Sequence, residues 1–240
     1  MKKAVFLLSG LAATSLSFGQ LSIGAKAGLN YTIESVSIDP EPDEKPDNGS
    51  GIGFHVGGFL QYNFSDMLGI RPELLYSMRG FQADETTTTV FAIGNQVTTV
   101  KNTAENKSSY SYIEVPILLS IQPSEAFSIH VGPGFGLLMG GKVKSEGTME
   151  TTVVDGGDVT TSTSSFSVEA SGSNVTDGLR KLEIAAVIGL GYQLESGLGF
   201  NLRYWRGLNS INEDTDLGGT EVKYNTNLFQ FSVCYAFIKG

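Results

Sequence analysis

Seven ionisable residues stand singly among apolar, glycine and small polar neighbours: Lys26, Arg71, Glu73, Arg79, Glu114, Glu183 and Arg203, within AKAGL, IRPEL, SMRGF, YIEVP, KLEIA and NLRYW. A charge so placed is buried with a partner or exposed at a site that uses it. Four basic against three acidic groups is close to balance. The chemistry open to such a set is a salt-bridged ladder, or a relay for protons or small ions. The ladder is the expected reading, because a buried ion that loses its partner costs on the order of 3–5 kcal/mol.

Two other constellations could carry chemistry. His55 and His130 are the histidines of the chain. A hydrolase would need one of them beside a nucleophile and an orienting acid, and no Gly-x-Ser-x-Gly elbow occurs. The chain is therefore not expected to be an enzyme, and no cofactor is expected. The acidic runs Asp39, Glu41, Asp43, Glu44, Asp47 and Glu213, Asp214, Asp216 offer oxygen ligands for calcium. Neither has the twelve-residue loop with its closing glutamate, so both read as solvated loops without a metal.

The elements that must position the seven charges show a period of two. In LSIGAKAGLNYTI, Leu21–Ile33, every odd residue is apolar and every even one small or polar, the signature of a strand with one oily and one wet face. The pattern recurs over Ile52–Phe64, Leu68–Met78, Ile113–Ile121, Phe127–Met139, Leu182–Leu194, Leu198–Leu208 and Phe229–Phe237, making eight strands. All seven charges fall on the wet faces. Lys26, Arg71, Glu73, Glu114 and Arg203 are expected at similar depth, with Arg79 and Glu183 nearer the far rim. Pro72, Pro116 and Pro133 lie inside strands and predict bulges or weakened pairing there.

The connections alternate strictly in length. Ser65–Met67, Gln122–Ala126 and Glu195–Gly197 are tight; Glu34–Gly51, Gln82–Ser109, Lys142–Lys181 and Asn209–Asn227 are long. Outer-membrane barrels have this asymmetry, with short turns on one rim and long loops on the other. Within the third long loop, the Thr- and Val-rich run TMETTVVDGGDVTTSTSSFSV has the composition of a hairpin beyond the membrane.

The first 19 residues read as a signal peptide, with Lys2 and Lys3 before a short apolar run and small residues Ser17 and Gly19 before a cleavage point. Residues 20–240 then form one domain. The net charge of −9 argues against nucleic acid as a partner. Cys234 is the single cysteine, which excludes an internal disulfide and reads as a small buried side chain.

Hydrocarbon or water must wet the oily faces, and the wet faces decide which. Only 17% of the chain is charged, against about 25% in soluble domains. The wet faces hold mostly Gly, Ser, Asn and Gln, too few charges for an outer surface but enough room for a filled narrow interior. The oily faces end in aromatic residues: Tyr62, Phe64, Phe127, Tyr192, Phe200, Tyr235 and Phe237 toward the short turns, Tyr31, Phe54, Tyr76, Tyr204 and Phe229 toward the long loops. Aromatic girdles at two lipid–water interfaces have this arrangement. A soluble lipocalin-like calyx also alternates, but has no reason for lopsided loops.

The segments IGAKAGLN, SYIEVPILLSI, HVGPGFGLLMGGK and the terminal NLFQFSVCYAF resemble the PorT-type outer-membrane β-barrel proteins. The resemblance implies insertion by the barrel-assembly machinery, with Tyr235 and Phe237 similar to the aromatic recognition signal at the family's C-terminus; here Ile238, Lys239 and Gly240 follow it. The founding member's association with protein secretion is not carried to this chain.

The expectation is an all-β, eight-stranded antiparallel up-and-down transmembrane barrel in the outer membrane, its lumen filled by the seven charges. Outer-membrane lipid surrounds it, and its long acidic loops face an extracellular ligand or envelope protein, as in an adhesin or accessory subunit. A narrow channel for small solutes is the rival.

Overall fold

The computed structural model describes residues 20–39, 49–213 and 221–238. Among these residues nine strands are present: β1 (Leu21–Asp39), β2 (Ser50–Asn63), β3 (Leu68–Ile93), β4 (Gln96–Ile121), β5 (Phe127–Asp155), β6 (Asp158–Gly172), β7 (Leu182–Gln193), β8 (Leu198–Gly207) and β9 (Glu221–Ile238). Eight of them close into a ring. Each strand from β1 to β5 pairs antiparallel with the next, β5 pairs with β7, and β7, β8 and β9 follow in order until β9 returns to β1. Closure leaves no edge in the ring, so every strand finds partners on both sides. β6 is the extra strand and pairs with β5 beyond the ring.

The inside and outside of the ring follow the alternation. Leu29, Ile52, Leu74, Ile188, Leu190, Leu202 and Phe231 are each more than half exposed on the outer face. A continuous apolar belt of this extent far exceeds what a soluble protein leaves in water, and hydrocarbon is the solvent that suits it. No helix among the described residues is long and apolar enough to cross a membrane.

The three short turns lie where the spacing places them. Ser65 Oγ accepts from the Leu68 amide at 3.0 Å, Ser124 Oγ accepts from the Phe127 amide at 3.2 Å, and Gly197 turns at φ 90°. The long connections are a correction. Gln82–Ser109 is not a loop: β3 and β4 pair without interruption up to Ile93 and Gln96 around a two-residue turn, with Gly94 at φ 61°. β1 likewise continues past Ile33 to Asp39, and β9 begins at Glu221. Alternation fades in these extensions because both faces meet water, while Thr86–Thr89 and Val97–Val100 keep the β-branched bias of strands. The hairpin expected in the third loop is present as β5 and β6, turning at Gly156 and Gly157, both with positive φ.

The prolines take the second of the two forms expected of them, weakened pairing. Pairing between β3 and β4 is missing between Pro72–Ile117 and Leu75–Glu114, and between β4 and β5 between Pro116–Gly134 and Leu119–Val131, yet the register on either side is unchanged. Weakened pairing occurs without a bulge, because a proline removes a donor and adds no residue. Register shifts occur instead between Ile23 and Gly24 and between Ser111 and Tyr112.

Candidate functional site: the filled lumen

Inward positions are set by register, and glycines decide how far a side chain can reach. The row Glu114–Gly136–Glu183 crosses β4, β5 and β7. Gly136 lacks a side chain, and a Cβ there would stand 3.1 Å from Glu183 Oε2. Arg79 lies over that gap and binds both acids. Its Nε and Nη2 donate to Glu114 Oε1 at 3.1 and 2.8 Å, and its Nη1 donates to Glu183 Oε2 at 2.6 Å. Tyr112 and Trp205 flank the same guanidinium, their ring centroids 4.3 and 5.4 Å from its carbon.

A second cluster surrounds Glu73. Arg203 grips it end-on, Nη1 to Oε2 at 2.9 Å and Nη2 to Oε1 at 2.8 Å. Lys26 Nζ donates to Oε2 at 3.1 Å, and Arg71 Nε to Oε1 at 3.0 Å. Arg71 also lies over Phe59 at 3.7 Å and donates Nη1 to Gln61 at 3.1 Å. One carboxylate thus serves three cations here, whereas one cation serves two carboxylates at Arg79.

The structure therefore brings all seven charges inside and pairs them, but as two clusters instead of one ladder. Glu114 belongs with Arg79 and Glu183, not at the depth of Glu73. Its register partner Gly136 is the next inward position above Gly134, level with Glu183. Strand counting from the short-turn rim misjudged this depth because tilted strands do not start level.

Two kinds of contact separate and join the clusters. Along β4, β7, β8 and β9, the apolar group Leu118, Ala185, Val187, Trp205 and Leu228 is buried between them. The sequence reading missed this group, since it took the wet faces as small and polar. Trp205 itself carried the signal, as a large apolar side chain out of phase with Leu202 and Tyr204. Gly134 faces Trp205 across the lumen and leaves room for its ring. On the opposite wall the link is polar. Gln230 donates to Glu114 Oε2 at 3.0 Å and to Asn30 Oδ1 at 3.3 Å, and Asn30 donates to Ser77 Oγ at 2.9 Å.

His55 joins that wall, 2.8 Å from both Asn30 Oδ1 and Ser232 Oγ. It reaches Ser232 across Gly28, where a Cβ would stand 2.8 Å from the imidazole Cε1. His130 is buried on β5 in the short-turn half. Cys234 is buried and free. Among the described residues no three His, Cys, Asp or Glu converge as a metal site. Of the two acidic runs, only Asp39 and Glu213 lie within the described residues; Glu41, Asp43, Glu44, Asp47, Asp214 and Asp216 lie outside them, as does the signal-peptide segment.

The aromatic residues occupy the outer face in two bands. Tyr204, Phe229 and Tyr31 are register neighbours across β8, β9 and β1, and Tyr204 and Phe229 stack with centroids 5.0 Å apart. Phe54 and Tyr76 lie 6.1 Å apart beside them. In the short-turn band Phe127, Tyr192 and Phe200 align across β5, β7 and β8. Tyr62 faces Leu21 there, Phe64 flanks the first turn, and Tyr235 and Phe237 pack edge to face at 5.6 Å.

A closed antiparallel ring with an apolar outer belt and an ion-paired, side-chain-filled interior defines a transmembrane β-barrel with a plugged lumen. The chain belongs to the family of the outer membrane protein beta-barrel domain, whose model matches residues 12–213. It is an outer-membrane protein. No curated protein matches the sequence. Among solved structures it is similar to Ail, the attachment invasion locus protein of Yersinia pestis, at 12% identity over 90% of this chain and 99% of that one, TM-score 0.33. Neisserial surface protein A matches at 13% identity over 90% and 97%, TM-score 0.35. OprG from Pseudomonas aeruginosa matches at 16% over 91% and 96%, TM-score 0.35.

Proposed function

We propose that this protein is a closed, PorT-like barrel that works by interaction outside the cell and neither conducts nor catalyses. The observation that carries this reading is the continuation of β3, β4 and β5 past the membrane belt into a free sheet completed by β6. From Gln82 to Ile93 that sheet extends on the order of 40 Å at about 3.3 Å per residue. Its β3–β4 tip exposes Val90, Phe91, Ile93 and Val97, where an idle hairpin would end in small polar residues. An extracellular ligand or an envelope protein meets this tip.

The filled lumen supports the rest. Arg79, Trp205 and Glu73 with its cations occupy the bore, and both rings of paired charge are buried. His55 is engaged by an amide and a hydroxyl, with no carboxylate to orient it as a base. Tyr235 and Phe237 present the terminal aromatic pattern to the assembly machinery during insertion.

Reconstitution into planar bilayers, together with cross-linking on intact cells, tests the reading. Electrical silence is expected; stable unitary steps would overturn it in favour of the narrow channel. A variant in which residues 84–105 are replaced by a short turn should insert normally and lose cross-linked adducts seen with the native chain. An unchanged adduct pattern would remove the interaction role.

A further inference from the structure

We propose that the short-turn half of the lumen binds a halide-sized monovalent anion between Arg71, Ser120, His130 and Arg203. The first argument is charge. Lys26, Arg71 and Arg203 all bind the single carboxylate of Glu73, and each of the four side chains is at most 5% exposed. An excess of positive charge sealed inside a membrane protein calls for a counter-ion.

The second argument is unspent hydrogen bonding. Arg71 Nη2, Arg203 Nε, Ser120 Oγ and His130 Nε2 are buried without a protein partner, although the same two guanidiniums are bonded through their other nitrogens. Buried polar groups are nearly always satisfied, so a cluster of orphans marks a place where something else is bound. Three of these groups are obligate or ready donors, and His130 Nε2 donates in the matching tautomer. The donors suit an anion.

The third argument is position. Ser120, His130, Gly189 and Arg203 form one register row across β4, β5, β7 and β8. Arg71 occupies the neighbouring inward position on β3, opposite Leu118. Gly189, in the middle of the row, and Gly191, the next inward residue, give the β7 wall no side chain of its own, and neighbours from the adjacent strands lean over it. Around Gly191 a Cβ would come within 2.3 Å of Ser128 Oγ, 2.8 Å of Asn201 Nδ2 and 3.1 Å of His130 Cε1, so these side chains already close over the wall there. Side chains packed this closely exclude sulfate and phosphate, so the proposed ion is monatomic and sits among the orphaned donors, not against Gly191. Asn201 Oδ1, also without a partner, would accept from a water in the ion's shell.

The site is independent of any extracellular role, and the two can fail separately. The test is crystallisation of the detergent-solubilised full chain in bromide, with anomalous diffraction, alongside thermal unfolding in chloride and in gluconate at equal ionic strength. A bromide peak within hydrogen-bond distance of Arg71 and Arg203 is expected, with a higher unfolding midpoint in chloride. S120A, which removes one donor and leaves the Glu73 ion pairs intact, should weaken the halide dependence roughly tenfold; R71K should do the same while keeping the charge. Water at the position without anomalous signal would overturn the proposal. So would an anomalous peak without any halide dependence in solution, which is binding at crystal concentration only.

Discussion

Arg203 and Glu73 are 130 residues apart in sequence and joined by two parallel hydrogen bonds of 2.9 and 2.8 Å inside the barrel. This bidentate pair holds β8 to β3 across the lumen. E73Q keeps the size of the side chain but strands Lys26, Arg71 and Arg203. Destabilisation on the order of 3–5 kcal/mol is expected. Urea titration of the barrel in detergent micelles, followed by tryptophan fluorescence, measures it.

Gly28 sits between His55 and Ser232, and a Cβ there would press on the Phe231 carbonyl of β9 as well as on the imidazole. G28A should cost roughly 1–3 kcal/mol through overcrowding. Part of that loss should return in the double variant with H55A, because only the backbone clash would remain. A double-mutant cycle separates the two.

On the outer face Leu190 is 57% exposed, in the middle of its strand. L190R is expected to lower folding stability in phospholipid vesicles by about 2–4 kcal/mol. T163R, on the exposed β6 outside the ring, should change it by less than about 0.5 kcal/mol. Equal effects of the two substitutions would place the membrane belt elsewhere.

Gly94 turns the β3–β4 tip at φ 61°. G94V forces a β-branched residue into that region and should loosen the tip at a cost of about 1–3 kcal/mol. Faster amide exchange from Val90 to Val97 is the expected readout. Protection within the ring should stay unchanged.

In the outer sheet, hydrogen bonds from Lys144 and Lys142 hold the carboxyls of Glu146 and Glu169 below their ordinary range. A depressed carboxyl stabilises the fold above its unfolded value, and the contribution disappears as pH falls through the folded one. The sheet should therefore be indifferent to pH between about 6 and 8 and loosen only under acid conditions below the ordinary carboxylate value of about 4.3. Carboxyl chemical shifts across an acid titration follow this directly.

The ring was legible because its two faces meet different solvents. Leu29 against Asn30, or Leu202 against Arg203, writes the period of two into the chain, and tight turns such as Glu195–Gly197 set the pairing. The outer sheet was hidden where that contrast ends: Thr86–Thr89 face water on both sides, and only Gly94-Asn95 between β-branched runs marked a hairpin. Charges could be assigned to the interior but not grouped, since whether Glu114 meets Arg79 or Arg203 depends on strand tilt. Trp205 was obscured by its oily neighbours, although its odd phase placed it inside.

Arg79 and Glu183 are 104 positions apart, and Lys26 and Glu73 are 47 apart. Arg71 and Glu73 share β3, but Glu183 on β7 and Arg203 on β8 reach their partners on β3 only once the ribbon curls. A flat ribbon would carry the charges of Glu183 and Arg203 unpaired into hydrocarbon, so curling and burial of the bore favour each other. The same groups that fill the finished cylinder thus couple its insertion to its curling.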